Sequence, residues 1–121
     1  NVIEYVTIAT TGNASDFGDL TVARYNMGSA GNDTRGIFYG GKTSSNSNVI
    51  DYVTIDTTGN ATDFGDTASK ESFAGTTNGT LGIFQGDASS YYITMATTGN
   101  ATDNGDLSST HRRVKNGCTS G

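Results

Sequence analysis

The sequence predicts an all-β fold made of small sheets that repeat along the chain. Residues 1–19 and 48–66 are identical at 16 of 19 positions, and residues 92–106 form a third copy that matches the second at 11 of 15 positions. Segments rich in β-branched and aromatic residues alternate with segments rich in glycine and asparagine, which is typical of strands joined by turns. No segment has the apolar period of about 3.6 residues that predicts a helix.

The first predicted strand covers residues 1–8, NVIEYVTI, and carries apolar side chains on both faces. Both faces are therefore expected to pack against neighbouring parts of the protein. Gly12 and Asn13 follow, and because both tolerate a positive φ they predict a tight hairpin turn. The short polar strand SDFGD at residues 15–19 completes the hairpin.

Two further strands are predicted before the repeat begins again. Residues 20–30, LTVARYNMGSA, are a strand candidate, and a polar turn separates them from the apolar segment RGIFYGG at residues 35–41. This apolar segment is expected to be the most buried strand of the unit. It recurs as LGIFQGD at residues 81–87, where the loop that follows is shorter than KTSSNSN at 42–48. Each unit thus contains four short strands, with a loop insertion in one copy.

A double glycine at residues 40–41, followed by Tyr52 and then by the aromatic Phe64, resembles the repeat of kelch-type β-propellers. In the kelch pattern the double glycine ends the second strand, the tyrosine lies in the third strand and a tryptophan lies in the fourth. The third copy departs from the pattern, with Gly-Asp at residues 86–87 and Asn104 in place of the aromatic residue. The resemblance implies blades of four antiparallel strands.

The chain is then expected to hold about two and a half blades of a kelch-like propeller. The predicted boundaries place the end of one blade at residues 1–19, a second blade at 20–66, a third at 67–106 and the start of the next at 107–121. Because a closed propeller has about 4–8 blades, we expect an incomplete propeller: a fragment of a longer polypeptide, or one of several chains that combine their blades. An open stack is the third arrangement, and in each case exposed edges need a partner, such as further blades of the same polypeptide.

The segment NVIDYVTIDTTGNATDFGD at residues 48–66, followed by a Gly-Ile-Phe strand, also resembles repeats in tail-fibre-like proteins of marine bacteriophages that infect cyanobacteria. This resemblance covers nearly the whole chain. It implies a virion-surface or extracellular protein that attaches to host cell-surface glycans or builds the fibre, with other virion proteins as partners. Two alternatives stay open: a purely structural or decoration protein that binds other subunits, and a propeller enzyme that acts on polysaccharide.

Charge and apolar patterning argue against two classes of partner. The chain has 7 basic and 12 acidic side chains and a formal net charge of −5, which disfavours binding to nucleic acid. No run approaches the roughly 18 apolar residues that cross a bilayer, so no membrane insertion is expected.

Residues that could support catalysis are few. The single histidine, His111, lies in a polar stretch beside two arginines, and we expect a solvated side chain rather than a catalytic base. The single cysteine, Cys118, has no second thiol for an internal disulfide or a tetrahedral metal site. Lys115 is near enough in sequence to lower its pKa, yet an unreactive thiol is the simpler expectation. The sequence therefore predicts no catalytic residue, no cofactor and no enzymatic activity.

Oxygen-bearing side chains recur in the turns of all three copies. Aspartates three residues apart could contribute to a calcium site, but Asx side chains that cap their own turns explain the pattern more simply, so no metal site is predicted. Asn-x-Ser/Thr triplets are interpreted as turns for the same reason. The aspartates are Asp16, Asp19, Asp63, Asp66, Asp103 and Asp106, and the triplets begin at Asn13, Asn32, Asn60, Asn78 and Asn100.

The segments that differ between copies are the candidates for binding. They include residues 23–33 and the loop at 42–48. Loops on a rigid scaffold commonly carry recognition, and aromatic and arginine side chains supply much of the contact energy. Tyr25, Arg35 and Tyr39 are therefore the candidate binding residues. The alternative is that Tyr25 and Tyr39 fill space between blades.

Overall fold

The computed structural model describes residues 1–70 and 74–111. Within these ranges every regular element is an antiparallel β-strand, which confirms the all-β prediction, and no helix is long and apolar enough to cross a membrane. The nine strands form three sheets. The first contains β1 (Val2–Tyr5) and β2 (Ser15–Asp19); the second contains β3 (Gly28–Gly31), β4 (Arg35–Tyr39), β5 (Val49–Thr54) and β6 (Thr62–Asp66); the third contains β7 (Ala74–Thr77), β8 (Leu81–Thr94) and β9 (Thr102–His111).

The three sequence copies adopt one strand register. Gly18, Gly65 and Gly105 occupy equivalent places, paired with Ile3, Ile50 and Ser90, and the register shifts by one residue beside each glycine. This β-bulge leaves Phe17, Phe64 or Asn104 as the extra residue. The glycines have φ values of +151°, +145° and +103°, a region that other residues rarely adopt.

The third sheet follows the same path as the second, although β8 is a single run of 14 extended residues. The Met95 N–H donates to the Thr80 carbonyl at 2.8 Å, so the two ends of β8 are neighbours and the strand folds back on itself. β7 pairs with its first arm and β9 with its second, and Asp87 has a φ of +55° between them. In the second sheet this fold-back is replaced by the loop at residues 40–48, which confirms the predicted insertion.

One predicted feature of the second unit is confirmed and another is not. The apolar segment at 35–41 is confirmed as its most buried strand, with Ile37 and Tyr39 fully buried. The strand expected at residues 20–30 is shorter, because only Gly28–Gly31 joins the sheet and Tyr25 forms an isolated bridge. The preceding residues are held by side-chain bonds from Thr21 and Arg24 to Asp51 instead of by a strand ladder.

The apolar core lies between successive sheets. One cluster joins Ile3 and Phe17 of the first sheet to residues of the second, and a larger one joins the second sheet to the third. In the larger cluster the rings of Tyr39 and Phe84 stack with their centroids 3.6 Å apart. The remaining members of the smaller cluster are Leu20, Met27, Phe38, Val53 and Ala61; those of the larger one include Ile37, Ile50, Phe64, Ile93 and Met95. The sheets therefore pack face against face.

Of the three copies, only the second has both faces covered by other sheets among the described residues, whereas the sequence predicted this for all of them. In β5 both faces carry buried residues. Ile50 packs in the cluster shared with the third sheet, and Val53 packs in the cluster shared with the first sheet. In the first copy Val6 is 59% exposed, whereas Val53 at the same place in the second copy is buried. The prediction that both faces of residues 1–8 are packed is not met, because among the described residues the first sheet has a neighbouring sheet on one face alone.

The Gly-Asn-Ala segment that follows each long strand does not form the predicted tight turn. In the second copy the turn comes earlier, where the Thr57 N–H donates to the Thr54 carbonyl at 3.2 Å, and neither Gly12 nor Gly59 has a positive φ. The segment at residues 59–61 instead runs along the first sheet. Local turn chemistry is overridden by a contact between repeats.

We call this contact the inter-repeat clamp. The Gly59 N–H donates to the Phe17 carbonyl at 2.7 Å, and the Ala61 N–H donates to the Asp19 carbonyl at 2.8 Å. The Asn60 side chain completes it by accepting a hydrogen bond from the Asp19 N–H through Oδ1 at 3.0 Å. Backbone and side chain together therefore bind the edge of β2.

The same clamp joins the second sheet to the third. Gly99 and Ala101 donate to the carbonyls of Phe64 and Asp66 at 2.7 and 2.8 Å. The Asn100 Oδ1 accepts from the Asp66 N–H at 3.0 Å. Identical residues thus make identical bonds at both junctions, so the repeated sequence encodes the stacking as well as the hairpin.

Replacing Asn60 or Asn100 with alanine is expected to lower the free energy of unfolding by about 1 kcal/mol each, because an Asp19 or Asp66 amide loses its acceptor. Urea unfolding measures the change. Asn13→Ala is the matched control, since the Asn13 side chain makes no hydrogen bond within the described residues, and we expect it to alter stability by less than about 0.5 kcal/mol. Equal losses at all three asparagines would contradict the clamp.

Candidate functional site

A buried ion pair anchors the segment that carries Tyr25. The Arg24 Nη1 lies 2.7 Å from the Asp51 Oδ2, and both side chains are fully buried. The Thr21 hydroxyl donates to the Asp51 Oδ1 at 2.6 Å, and the Arg24 Nη2 donates to the Phe38 carbonyl at 3.3 Å. Three polar groups therefore hold residues 21–24 against β4 and β5.

This anchor is specific to the second copy. The place of Asp51 is taken by Glu4 in the first copy and by Tyr91 in the third, as the common register shows. The Arg24 Nε is buried without a hydrogen-bond partner within residues 1–70 and 74–111. Such a pair is costly to assemble and more costly to break, which favours one fixed conformation for the residues beside it.

Tyr25 lies directly after this anchor and against the inserted loop. Its N–H donates to the Lys42 carbonyl at 3.0 Å, and its carbonyl accepts from the Lys42 N–H at 2.8 Å. Gly41 allows this approach, since its φ is +94° and a Cβ there would lie 2.7 Å from the Tyr25 carbonyl oxygen. The backbone of Tyr25 is thereby fixed while its side chain stays 55% exposed.

The loop beside Tyr25 is ordered by its own bonds. The Thr43 N–H donates to the Ser45 carbonyl, and the Ser47 N–H donates to the Gly41 carbonyl, both at 2.9 Å. Ser44, Ser45 and Asn46 are exposed. We call these three residues and Tyr25 the Tyr25 loop surface. It combines an amphipathic aromatic ring with hydroxyl and amide groups, which suits contacts to the C–H faces and hydroxyls of a sugar.

The other two predicted binding residues lie elsewhere. Arg35 donates from Nη1 to the Met95 carbonyl at 2.8 Å, and its guanidinium carbon lies 4.6 Å from the centre of the Tyr52 ring. It therefore ties the second sheet to the third. Tyr39 is buried between the same sheets, where its hydroxyl donates to the Ser29 carbonyl at 3.3 Å and burial raises its pKa well above the usual range. This placement agrees with the space-filling alternative for Tyr39.

Several of the predicted turn residues do cap their own turns or bulges. Asp63 and Asp103 cap their own bulges by accepting from the amides of Gly65 and Gly105 at 3.2 and 2.7 Å. Asn32 likewise accepts from the Thr34 amide at 3.0 Å, as the turn interpretation predicts. In the part of the chain that the structure describes, no three His, Cys, Asp or Glu side chains are placed to hold a metal ion.

Asn60 and Asn100 were expected to cap their own turns and instead bind the neighbouring sheet. One feature of the sequence could have indicated this role: the asparagine is identical in all three copies, whereas the residues outside the repeated segment vary. The side chain of His111 and the whole of residues 112–121, including Cys118 and Lys115, lie outside the described residues.

Comparisons with known proteins give no assignment: no protein-family model matches the chain, and no curated protein matches it.

Proposed function

We propose that this chain is a non-enzymatic β-propeller-like module of a phage tail fibre or virion appendage, which attaches to host cell-surface glycans while serving as part of the fibre scaffold. The repeat sequence supports the phage origin through its resemblance to tail-fibre-like repeats. A four-stranded antiparallel sheet packed between two other sheets supports the comparison with propeller blades.

The Tyr25 loop surface is the observation that carries the attachment role. A buried ion pair and two backbone bonds fix Tyr25, yet the residue stays exposed, and the loop that its backbone binds carries exposed serine and asparagine residues. Fixing a residue in this way lowers the entropy lost when it binds a ligand. The loop and the ion pair occur together in the second copy, so the surface is a single site on a repetitive scaffold.

The purely structural alternative rests on a different observation. Val6 and Ile8 form exposed apolar surface on the first sheet, whereas the equivalent Ile93 and Met95 of the third copy are buried. Exposed apolar residues of this kind favour association with another protein subunit. A chain that binds only other virion proteins would use this face and leave the Tyr25 loop surface without a ligand.

Binding of the chain to an array of cyanobacterial lipopolysaccharides and capsular polysaccharides tests the proposal. We expect Tyr25→Ala to weaken binding by about tenfold or more, because the ring supplies the apolar contact. Tyr25→Phe should retain binding within about threefold, since the ring remains.

Tyr5→Ala is the matched control, because Tyr5 is also an exposed tyrosine but lies on the first sheet, away from the Tyr25 loop surface. The Tyr5→Ala variant should bind as well as the unmodified chain. Failure to bind any of these polysaccharides, combined with tight binding to another virion protein, would favour the structural alternative. Shortening of the polysaccharide during the assay would contradict the non-enzymatic role.

A further inference from the structure

The chain contains a third set of clamp residues that is unused within the described residues. Gly12, Asn13 and Ala14 are identical to the residues that form the two internal clamps. They are exposed, and within residues 1–70 and 74–111 the Asn13 side chain makes no hydrogen bond and the amides of Gly12 and Ala14 donate to no neighbouring sheet. This donor segment is therefore free to bind a strand edge.

A matching strand edge lies at the other end of the stack. In β9, Gly105 has the same register and bulge as Gly18 and Gly65. At Gly18 and Gly65 a Cβ would collide with the clamp of the next sheet, whereas at Gly105 no atom of the described residues lies within 4 Å. Asn104 and Asp106, in the places of the two clamp acceptors, are exposed. The edge therefore has the geometry of a clamp acceptor, and no segment of the described residues binds it.

The exposed apolar residues lie beside the unused donor segment. Ile8 is 99% exposed, whereas at the same place Ile55 of the second copy is 45% exposed and Met95 of the third copy is fully buried against the second sheet. Val6 and its buried counterpart Ile93 show the same difference. The face that carries Gly12–Ala14 is thus the face that the other copies cover with a preceding sheet.

We propose that the chain binds a second copy of itself head to tail, with Gly12–Ala14 of one copy clamped onto Asn104–Asp106 of the next. The interaction continues the interface already made twice inside the chain. It is heterologous, so the copies form a ring if the rotation closes and a fibre if it does not. This proposal does not depend on the proposed function.

The intermolecular junction is weaker than the internal ones. The face of the second sheet that packs against the third carries three apolar residues, Tyr39, Ile50 and Phe64. The same face of the third sheet has polar residues at these places. They are Gln85, Ser90 and Asn104. Less apolar area is therefore buried, while the backbone bonds are retained. Association is expected at protein concentrations of tens of micromolar and above, with dissociation on dilution.

Sedimentation velocity of the chain from about 1 to 500 µM, with reductant present to keep Cys118 from forming disulfides, tests the proposal. The weight-average mass should rise with concentration. Asn13→Ala should weaken association by about fivefold through loss of the amide acceptor. Ile8→Ser should weaken it by about tenfold, and neither change should disturb folding because both side chains are exposed.

Asn104→Phe should strengthen association by about tenfold, because it restores the aromatic residue that Phe64 supplies at the internal junction. Asp33→Asn, in the exposed β3–β4 turn of the second sheet, is the control and should leave association unchanged. The proposal is overturned if both the unmodified chain and Asn104→Phe stay monomeric throughout, or if association is insensitive to Asn13→Ala and Ile8→Ser.

Discussion

Gly65→Ala is expected to lower the free energy of unfolding by about 3 kcal/mol or more. The φ of Gly65 is +145°, and a Cβ there would lie 2.5 Å from the Gly99 carbonyl oxygen and 3.0 Å from the Asn100 nitrogen. Both neighbours are backbone atoms of the clamp, so the collision cannot be relieved by rotating a side chain. The substitution strains the bulge and pushes the second and third sheets apart. Urea unfolding of the variant measures the loss.

Substitutions at two other glycines distinguish the cost of backbone strain from the cost of a steric collision. Gly105 has a φ of +103° but open space around it, so Gly105→Ala is expected to cost about 1–2 kcal/mol from strain alone. Gly59 lies within the clamp but has neither a positive φ nor a close neighbour, so Gly59→Ala should change stability by less than about 1 kcal/mol. A cost at Gly65 no greater than that at Gly105 would contradict the close approach of the two sheets.

Asp51→Asn is expected to lower the free energy of unfolding by about 3–5 kcal/mol. The substitution keeps the shape of the side chain but removes the charge that balances Arg24, whose guanidinium is fully buried. It also weakens the 2.6 Å hydrogen bond from the Thr21 hydroxyl. An unpaired buried charge is far more costly than the loss of an exposed ion pair.

The equivalent change in the first copy, Glu4→Gln, is the matched control, because Glu4 is exposed and should contribute less than about 0.5 kcal/mol. Replacing both members of the buried pair, as Arg24→Met with Asp51→Leu, should recover much of the lost stability, since no charge is then left unpaired. A double variant as unstable as Asp51→Asn would contradict this explanation.

The fold class could be predicted because the strand signals are local and are written three times. β1, β5 and the second arm of β8 are rich in β-branched and aromatic residues, and the same spacing to Gly18, Gly65 and Gly105 gives the same register in each copy. The burial of β4 could also be predicted from its apolar run, since Ile37 and Tyr39 have no exposed surface. Local composition was sufficient for these elements.

The clamp could not be predicted from local sequence. A glycine followed by an asparagine is a strong turn signal, but whether Asn60 caps its own turn or binds Asp19 depends on how close the next sheet lies. That distance is a property of the stack. The Arg24–Asp51 ion pair could not be predicted for a similar reason, because its members are 27 residues apart and meet only after β5 pairs with β4.

The positions of the candidate binding residues could be predicted in part. Variation between copies identified Tyr25 and the loop at residues 42–48, which the structure brings together through the two backbone bonds to Lys42. Arg35 and Tyr39 also differ from the residues at the same places in the third copy, but each makes a contact specific to the junction between the second and third sheets. Variation in a repeat protein therefore indicates specialised interfaces between repeats as well as external ligands.

Amide hydrogen exchange measured by NMR at a dilute, monomeric concentration tests most directly that the repeats stack through the clamp. Three identical Gly-Asn-Ala segments serve as one another's controls. The amides of Gly59, Ala61, Gly99 and Ala101 should be protected, since each donates to a neighbouring sheet, whereas those of Gly12 and Ala14 should exchange freely. Equal exchange in all three segments would contradict the stacking of sheets on which the fold, the binding surface and the self-association all depend.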